Sequence, residues 1–315
     1  MKGVLRGRSG SPPTRAAAVF ETPILIIAYR RADTTRRVFQ SVREARPKRL
    51  YVACNAPRPD RPQEAEQCAA VRMIFDEIDW PCTVNRLYRD THLCARDSIS
   101  GAITWFFQHE ENGIVLEDDC VPVPSFFTFC QELLYRYALD QRVAMISGDN
   151  FQFGRQRGDA SYYFSRYCHI WGWATWRDRW LGSYDPDMRH WPKYRTQVLA
   201  TIRNPIERFY WSQIFSLMYR RRIDTWDYQW LFASWLNGRV AIVPGVNLVT
   251  NIGFGKSAHH TRTASRAANM STNEMTFPLT HPDAVLPDHE ADRYTFLHSY
   301  LPTPAYVLKK LGIYS

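Results

Sequence analysis

Three consecutive carboxylates, Glu117, Asp118 and Asp119, are the residues of this sequence whose types and spacing most directly suggest chemistry. Like charges this close together repel one another and raise each other's pKa, so the run is costly unless a positive group lies among the oxygens. Mg²⁺ and Mn²⁺ prefer oxygen ligands and often bridge one or two protein carboxylates to substrate phosphates. The triplet therefore predicts a divalent cation that holds a diphosphate. A solvated acidic turn is the alternative.

A second candidate is Asp227, which lies between two tryptophans, Trp226 and Trp230, where a helix is predicted to begin. A carboxylate in apolar surroundings tends to have a raised pKa and can act as a general base. An aspartate at the start of a helix is also a common N-cap. Taken alone, the position favours the cap.

Four tryptophans fall within the ten residues 171–180. An indole offers a flat apolar face and an N–H donor, a combination that suits a sugar ring. We expect Trp171 and Trp176 to face a ligand on the acceptor side of the site. For Trp173 and Trp180 the sequence favours a place in the core.

The segment 251–260 combines loop glycines with one lysine and two histidines. Such a loop could fold over a diphosphate, with Lys256 as a point charge and His259 or His260 reaching the phosphate or the metal. We assign His259 as the candidate metal ligand. An ordinary solvent-exposed loop is the alternative.

The elements that must position these residues follow an α/β pattern, because from residue 22 short β-branched runs alternate with longer amphipathic ones. The predicted strands of this first half are residues 23–29, 49–54, 82–87, 113–116 and 143–147, and the predicted helices are residues 33–44, 64–78, 98–109 and 125–139. The expected fold is a Rossmann-like, mostly parallel sheet flanked by helices. In open α/β sheets ligands bind beyond the carboxyl ends of the strands, which is where the acid triplet falls.

Beyond residue 150 the regular alternation stops and the chain becomes rich in aromatic residues. Helices are predicted over 173–180, 205–220, 228–236 and 305–311, a strand over 240–243 and a loop over 253–275. We interpret residues 1–21 as a disordered basic tail. Residues 22–150 are interpreted as the donor-binding half of one domain, and residues 151–315 as its irregular, aromatic-rich acceptor half.

The composition is that of a basic globular chain: 315 residues, a net charge of +9 and 45 aromatic residues, with only six lysines among 40 basic residues. Arginine and aromatic rings suit phosphates, sugar faces and nucleobases, although GC-rich codon usage explains an arginine excess equally well. The apolar stretches are far shorter than the roughly 20 residues that span a bilayer.

The first 21 residues lack the apolar core of a secretory signal. The seven cysteines contain no CxxC pair, so neither a zinc knuckle nor a disulfide framework is predicted. The expected location is a reducing cytoplasm, with peripheral contact at the anionic inner face of a membrane favoured by the net charge and by Arg220, Arg221 and Arg222.

Two common nucleotide-binding motifs are missing from the sequence. The first strand is followed by Tyr29 and Arg30 rather than by GxGxxG, which argues against a dinucleotide-binding domain. No Walker A motif occurs either, so an ATPase is not expected. What remains is a nucleotide held through a metal ion.

Five segments, taken in order, resemble the GT-A fold nucleotide-sugar glycosyltransferases: PILIIAYR at 23–30, GIVLEDDCVP at 113–122, WGWATW at 171–176, TWDYQW at 225–230 and NIGFG at 251–255. The similarity is closest to a bacterial group related to glycosyltransferase family 2 and to eukaryotic N-acetylglucosaminyltransferase I. It covers residues 22–260. Each segment is a weak signal alone, and their common order makes the match specific.

The resemblance implies a role for several residues. In that family the last acid of the triplet, here Asp119, ligates a Mn²⁺ bound to the donor diphosphate, and the acid before it, Asp118, contacts the ribose. Residues at the ends of the first two strands hold the nucleotide, and these are Tyr29, Arg30 and Asn55. N-acetylglucosaminyltransferase I has an acidic residue that binds uracil where this chain has Asn55. A UDP-sugar is nevertheless the expected donor.

The resemblance also moves Asp227 from cap to catalytic base. It implies direct displacement with inversion at the anomeric carbon, Mn²⁺ or Mg²⁺ as cofactor, and a glycan or lipid-linked hydroxyl as acceptor. Lys256 is expected to help neutralise the departing diphosphate, and the loop 253–262 to close over the donor. The alternatives are a sugar nucleotidyltransferase, a nucleic-acid-binding protein and a non-catalytic scaffold. Because the basic residues are scattered rather than gathered into a stripe, nucleic acid is not an expected partner.

Overall fold

The structure, a computed structural model, describes residues 20–254 and 267–301. In chain order the first half contains β1 (Ile24–Ala28), α1 (Ala32–Ala45), β2 (Arg49–Cys54), α2 (Gln63–Ile74), β3 (Thr83–Tyr88), α3 (Ala95–His109), β4 (Asn112–Glu117), β5 (Cys120–Pro122), α4 (Pro124–Arg136) and β6 (Val143–Ser147). The predicted strands and helices of this half are all present, and β2 and β6 have the predicted bounds.

The second half contains β7 (Tyr162–Ser165), β8 (Trp173–Trp176), α5 (Arg177–Leu181), α6 (Trp191–Ala200), α7 (Pro205–Tyr219), α8 (Asp227–Leu236), β9 (Val240–Pro244), β10 (Val249–Asn251) and α9 (His289–Thr295). A π-helical turn, Phe296–Tyr300, follows α9. The helix expected over 305–311 and nearly all of the expected basic tail lie outside the described residues. Every described helix is too short or too polar to cross a membrane.

Eight strands form one sheet in the order β3-β2-β1-β4-β8-β6-β9-β7. Strands β7 and β8 are antiparallel to their neighbours, and the other six run in one direction. A mostly parallel sheet flanked by helices was the expected fold, and the structure confirms it. The carboxyl ends of β1, β2, β4 and β6 consequently share one edge.

The prediction of a helix over residues 173–180 is wrong. Trp173–Trp176 form β8, which is inserted between β4 and β6, and only Arg177–Leu181 are helical. The four residues of β8 are all buried, so the strand shows no alternation of apolar and polar residues. Tryptophans at positions 173, 176 and 180 also have helical spacing, which favoured the wrong interpretation.

Both faces of the sheet are covered, because successive residues of a strand point to opposite faces. In β1, Ile24 and Ile26 pack in one core with residues of α1, α2 and α4, while Leu25 and Ile27 pack in a second core with residues of α3 and α6–α8. The second core holds most of the tryptophans. Residues of α8 pack in this core, which gives the helix a rigid support.

A two-stranded antiparallel ribbon, β5 with β10, brings a distant segment to the acid triplet. Asn251 pairs with Cys120, and the Ile252 N–H donates to the Asp119 carbonyl at 2.9 Å. Gly253 lies so close that a Cβ added there would be 1.9 Å from Asp119 Oδ2. Only glycine fits this approach of the chain to Asp119.

Candidate functional site

Two adjoining cavities lie at the carboxyl edge of the sheet. The larger has a volume of about 740 Å³ and the smaller about 250 Å³. Arg31, Ala95 and Ile99 line both cavities, so these residues mark the boundary between them. Asp118 lines the smaller cavity, whereas Glu117 and Asp119 line the larger one. The acid triplet therefore spans the boundary.

The positive group among these acids is Arg31. Its Nη2 donates to Asp118 Oδ1 and, at 2.8 Å, to Asp119 Oδ2. The three side chains are 18%, 6% and 15% exposed, respectively. Burial and the Asp119 charge raise the pKa of Asp118, whereas Arg31 opposes that rise. Part of the repulsion predicted for the triplet is thus offset by a side chain of this chain itself.

Arg31 was missed at the sequence level because it is adjacent to Arg30, the residue selected there. Arg30 faces elsewhere, with its Nη1 3.3 Å from Glu64 Oε1. Two consecutive arginines carry no sequence signal that tells which one turns toward the acids. The path of the backbone between β1 and α1 determines which arginine side chain points toward the acids.

The pKa of Glu117 is well above the usual value for a glutamate. Burial, and after it the charges of Asp119, Asp118 and Asp227, raise the pKa of Glu117 to about 8. Near neutral pH this side chain is therefore mostly protonated and can donate a hydrogen bond into the larger cavity. Because the charge of Asp227 contributes to the shift, the base candidate lies within electrostatic range of the triplet.

The acids also provide oxygens that suit a divalent cation. Among the described residues, Asp119 Oδ1 has only long contacts, 3.4 Å from the Cys120 thiol and 3.5 Å from Asn251 Nδ2. Within residues 20–254 and 267–301 no cluster of three or more His, Cys, Asp or Glu side chains could hold a metal unaided. One or two carboxylates are sufficient when substrate phosphates and water complete the shell. The oxygens fit a cation bound together with a diphosphate, provided that Arg31 moves away from Asp119.

Lys256 and His259, expected to assist at this position, lie outside the described residues, as does His260. The last described residues before them, Gly253 and Phe254, line the larger cavity. The start of the predicted closing loop is therefore at the cavity wall.

Two aromatic rings and a carboxylate line the smaller cavity. The rings of Tyr29 and His92 line it with their centroids 5.5 Å apart, and the Tyr29 backbone N–H donates to Asp118 Oδ2 at 3.2 Å. The Tyr29 hydroxyl donates to Glu64 Oε2 at 2.5 Å, and Arg58 also binds Glu64. Tyr29 is thereby fixed at both ends.

Asn55 lines the same pocket, but its amide is already engaged. Nδ2 donates to the Leu93 carbonyl at 2.8 Å, while Oδ1 accepts from the N–H groups of Ala56 at 3.0 Å and Leu93 at 3.1 Å. The side chain thus holds the 92–94 loop in place. Its contribution to the pocket is mainly to position that loop.

Asp227 is the first residue of α8 and lines the larger cavity. The N-cap is Trp226, which makes no side-chain capping bond, so the interpretation of Asp227 as a cap is wrong. Thr225 Oγ1 donates to Asp227 Oδ1. Trp226 is clamped between Trp173 and Trp180, with ring centroids 5.6 and 6.0 Å away. This packing fixes the direction in which α8 presents its first residue.

Only one of the two expected ligand-facing tryptophans lines a cavity. Trp171 lines the larger cavity. Trp176 is 4% exposed, and its Nε1–H donates to the Leu134 carbonyl at 3.1 Å, so its assignment to the acceptor site is corrected. In β8, Ala174 and Trp176 point to the core beneath α4, which leaves Trp176 no access to the site.

Two further polar residues of the larger cavity were missed, Asp149 and His169. Asp149 comes two residues after β6 ends, just as Asp119 comes two residues after β4 ends, so the strand-end rule could have found it. His169 precedes β8, which was taken for a helix. No local pattern marks it.

Comparison with known proteins yields weak similarities only. Neither a scan of protein-family models nor a search of curated proteins found a match. Among solved structures, apo UDP-glucose pyrophosphorylase is 9% identical over 71% of this chain and 90% of its own, with a TM-score of 0.36. HddC from Yersinia pseudotuberculosis is 10% identical over 50% and 77%, with a TM-score of 0.32. The assignment of a function depends on the site itself.

Proposed function

We propose that this chain is a metal-dependent glycosyltransferase of GT-A type. It would transfer a sugar from a nucleoside-diphosphate sugar, with UDP-sugars as the expected class, to a hydroxyl of a glycan or lipid-linked acceptor. The observation that carries the proposal is that Asp227 and Asp119 line one cavity of about 740 Å³, next to a separate pocket of nucleoside size.

The two cavities give each part of the donor a place. The nucleoside enters the smaller pocket, with its base beside Tyr29 and His92 and its ribose near Asp118. The diphosphate then crosses the boundary at Arg31, and the sugar enters the larger cavity. Asp119 would hold Mn²⁺ or Mg²⁺, which when bound neutralises charge on the diphosphate. Lys256 and His259 remain predicted contributors.

Asp227 acts as the general base in this scheme. It accepts the proton of the acceptor hydroxyl while that oxygen forms a bond to the anomeric carbon. The bond from that carbon to the diphosphate oxygen breaks at the same time, and its electron pair leaves with the nucleoside diphosphate. Attack from the opposite face inverts the configuration. Trp226 and Thr225 hold the base in position throughout.

A sugar nucleotidyltransferase is the second candidate, because strand-end acids and a cation would serve that reaction equally. That reaction is expected to need a glycine-rich basic loop for a triphosphate after the first strand. Here β1 ends at Ala28 and α1 begins at Ala32, which leaves Tyr29, Arg30 and Arg31 as the whole connection.

The test is a donor screen combined with one substitution. The wild type is incubated with a panel of nucleotide-sugars, with and without Mn²⁺, and release of the nucleoside diphosphate is measured. Asp227→Asn is expected to lower transfer by roughly 10²–10⁴-fold while UDP binding is kept. Asp159→Asn, at an exposed loop position, is the matched control.

Two outcomes would overturn the proposal. One is undiminished transfer by Asp227→Asn. The other is pyrophosphate formation from UTP and a sugar 1-phosphate that the substitution leaves unchanged, which would establish the second candidate instead.

A further inference from the structure

The larger cavity contains buried polar atoms that no described residue satisfies. Asp149 is fully buried, and its Oδ1 accepts the Trp171 N–H at 3.2 Å, yet Oδ2 has no hydrogen-bond partner among the described residues. His169 is 2% exposed, and neither of its ring nitrogens has a partner in the described part of the chain. Both residues line the cavity wall.

Buried polar groups without a hydrogen-bond partner are energetically unfavourable. Each destabilises the fold because its lost hydration is not replaced by a hydrogen bond, and native proteins contain few of them. Two in one cavity wall indicate that a bound molecule supplies the missing partners. The catalytic scheme above uses neither Asp149 nor His169.

Aromatic rings lie beside these polar groups. The Phe151 ring packs edge-on against His169 and Trp171, with ring centroids 4.6 and 5.0 Å apart. The ring centroids of Phe254 and Trp171 are 5.6 Å apart. A wall that presents both ring faces and hydrogen-bonding groups matches a pyranose, which has apolar C–H faces and hydroxyls around its rim.

The backbone holds this wall rigidly. The Gly148 N–H donates to the Gly172 carbonyl at 2.7 Å and so ties the end of β6 to the loop before β8. A Cβ at Gly148 would lie 2.5 Å from Val249, which leaves room only for glycine. Asp149 and Trp171, each next to one of these glycines, are therefore held in a fixed relation without a ligand.

The wall belongs to the donor side of the cavity. Gly253 packs against Asp119 Oδ2, and the ring of the next residue, Phe254, has its centroid 5.6 Å from that of Trp171. The backbone N–H of Trp171 in turn donates to Asp149. A sugar attached to a diphosphate at Asp119 would therefore begin next to Asp149.

We propose that Asp149, His169, Phe151 and Trp171 form the subsite for the transferred sugar, and that this subsite selects a neutral hexose over a uronic acid. The inference rests on the proposed function and specifies the sugar class of its donor. It assigns hydroxyl groups of the hexose as the partners of Asp149 Oδ2 and the His169 ring nitrogens.

Charge supports the selection of a neutral ring. Burial raises the pKa of Asp149 well above the usual range and lowers the pKa of His169 to about 3. Near pH 7 the His169 ring is therefore neutral, so the subsite has no cation to pair with a sugar carboxylate. Arg31, which also lines the cavity, is already shared by Asp118 and Asp119. The other charged groups nearest the donor are the carboxylates of Asp119 and Asp227. These disfavour a uronate further.

The test compares affinities of the full chain for UDP, UDP-glucose, UDP-galactose, UDP-N-acetylglucosamine and UDP-glucuronic acid, by calorimetry with Mn²⁺ present. The wild type is expected to bind at least one neutral UDP-hexose more tightly than UDP and more tightly than UDP-glucuronic acid. Asp149→Asn and His169→Gln should each weaken binding of that UDP-hexose by roughly tenfold, the size of one lost hydrogen bond, and leave UDP affinity unchanged. Asp159→Asn is the control.

The outcomes separate the two proposals. If wild type binds UDP but prefers UDP-glucuronic acid, or if both variants keep full affinity for the UDP-hexose, the subsite is refuted while the proposed function stands. Equal loss of UDP and UDP-hexose affinity in a folded variant also refutes it, because that result indicates a structural role. Absence of any nucleotide binding by wild type overturns both. If a variant fails to fold, the relative affinities of the wild type for UDP-hexoses and UDP-glucuronic acid still test the subsite.

Discussion

Arg31 is the residue on which the electrostatics of the site depend. Its guanidinium is shared by Asp118 and Asp119, and all three side chains are largely buried. Removing one member of a buried ion pair leaves uncompensated charge, which is far more costly than losing an exposed pair. A divalent cation would compete with Arg31 for the same oxygens. Stability and cation binding should therefore be coupled through this one side chain.

We predict that Arg31→Met destabilises the metal-free protein by about 3 kcal/mol, because two neighbouring carboxylates lose their positive partner. Mn²⁺ should restore much of this loss, since the cation no longer competes with a guanidinium. Urea denaturation with and without Mn²⁺ measures both effects. Arg31→Lys, which keeps the charge, should lose less stability and respond less to Mn²⁺. If Mn²⁺ stabilises Arg31→Met no more than wild type, the acids are not a cation site.

Some of the site was predictable at the residue scale and some was not. The acid triplet was found because three like charges at a strand end demand a compensating group, and that demand can be read from sequence. Which group meets it depends on side-chain direction, and Arg31 was therefore overlooked in favour of Arg30. The significance of Asp149 and His169 lies in missing hydrogen bonds, a property that exists only once the chain is folded.

At the scale of elements, the ribbon of β5 and β10 brings residues 251–254, from the second half of the chain, to the cavity wall beside the acid triplet. Gly253, just after β10, packs against Asp119 and Arg31 at distances that leave no room for a side chain, since an added Cβ would be 1.9 Å from Asp119 Oδ2 and 2.9 Å from Arg31 Nη1. The glycine is required here for close approach. Its φ is not in the left-handed region, so space rather than conformation restricts the position.

We predict that Gly253→Ala weakens the binding of UDP in the presence of Mn²⁺ by about tenfold or more, equivalent to at least 1.4 kcal/mol. The new methyl group must push either Asp119 or the backbone of residues 251–254 out of place. Calorimetric titration with UDP and Mn²⁺ measures the effect. Gly101→Ala is the matched control, because its methyl group would meet only the tip of the Arg89 side chain at 2.9 Å. Unchanged binding by Gly253→Ala would show that the ribbon does not shape the diphosphate site.

Element prediction succeeded where the sequence pattern had one interpretation. Strands β2 and β6 are apolar runs between loop residues, and the predicted bounds are those observed. The residues of β8 had two interpretations, because a strand buried on both faces is apolar throughout and its tryptophans also match a helical period. Tertiary context decides such cases. The same context makes Asp227 the first residue of α8, facing a cavity, and not the N-cap that its position alone favoured.

At the scale of the whole molecule, the sheet joins the two halves of the sequence. Strand β8, from the second half, lies between β4 and β6, and β6 lies between β8 and β9. Most of the tryptophan-rich core that covers one face of β1 also comes from residues beyond 150. The pocket proposed for the nucleoside belongs mainly to the first half, and the proposed base Asp227 belongs to the second. Catalysis by the proposed mechanism therefore needs both halves folded together.

We predict that the full chain unfolds in urea as one cooperative transition, with tryptophan fluorescence and far-UV circular dichroism changing together. A fragment of residues 20–150 should show no cooperative transition of its own, because β6 would lack both of its neighbours and β4 would lose β8. It would also expose Leu25, Ile27 and Val115, which pack in the core completed by the second half. Exposed apolar faces and unpaired strand edges favour aggregation. A fragment that stays monomeric and unfolds cooperatively would instead show that the donor half is an independent domain, joined to its acceptor half only by a sheet edge.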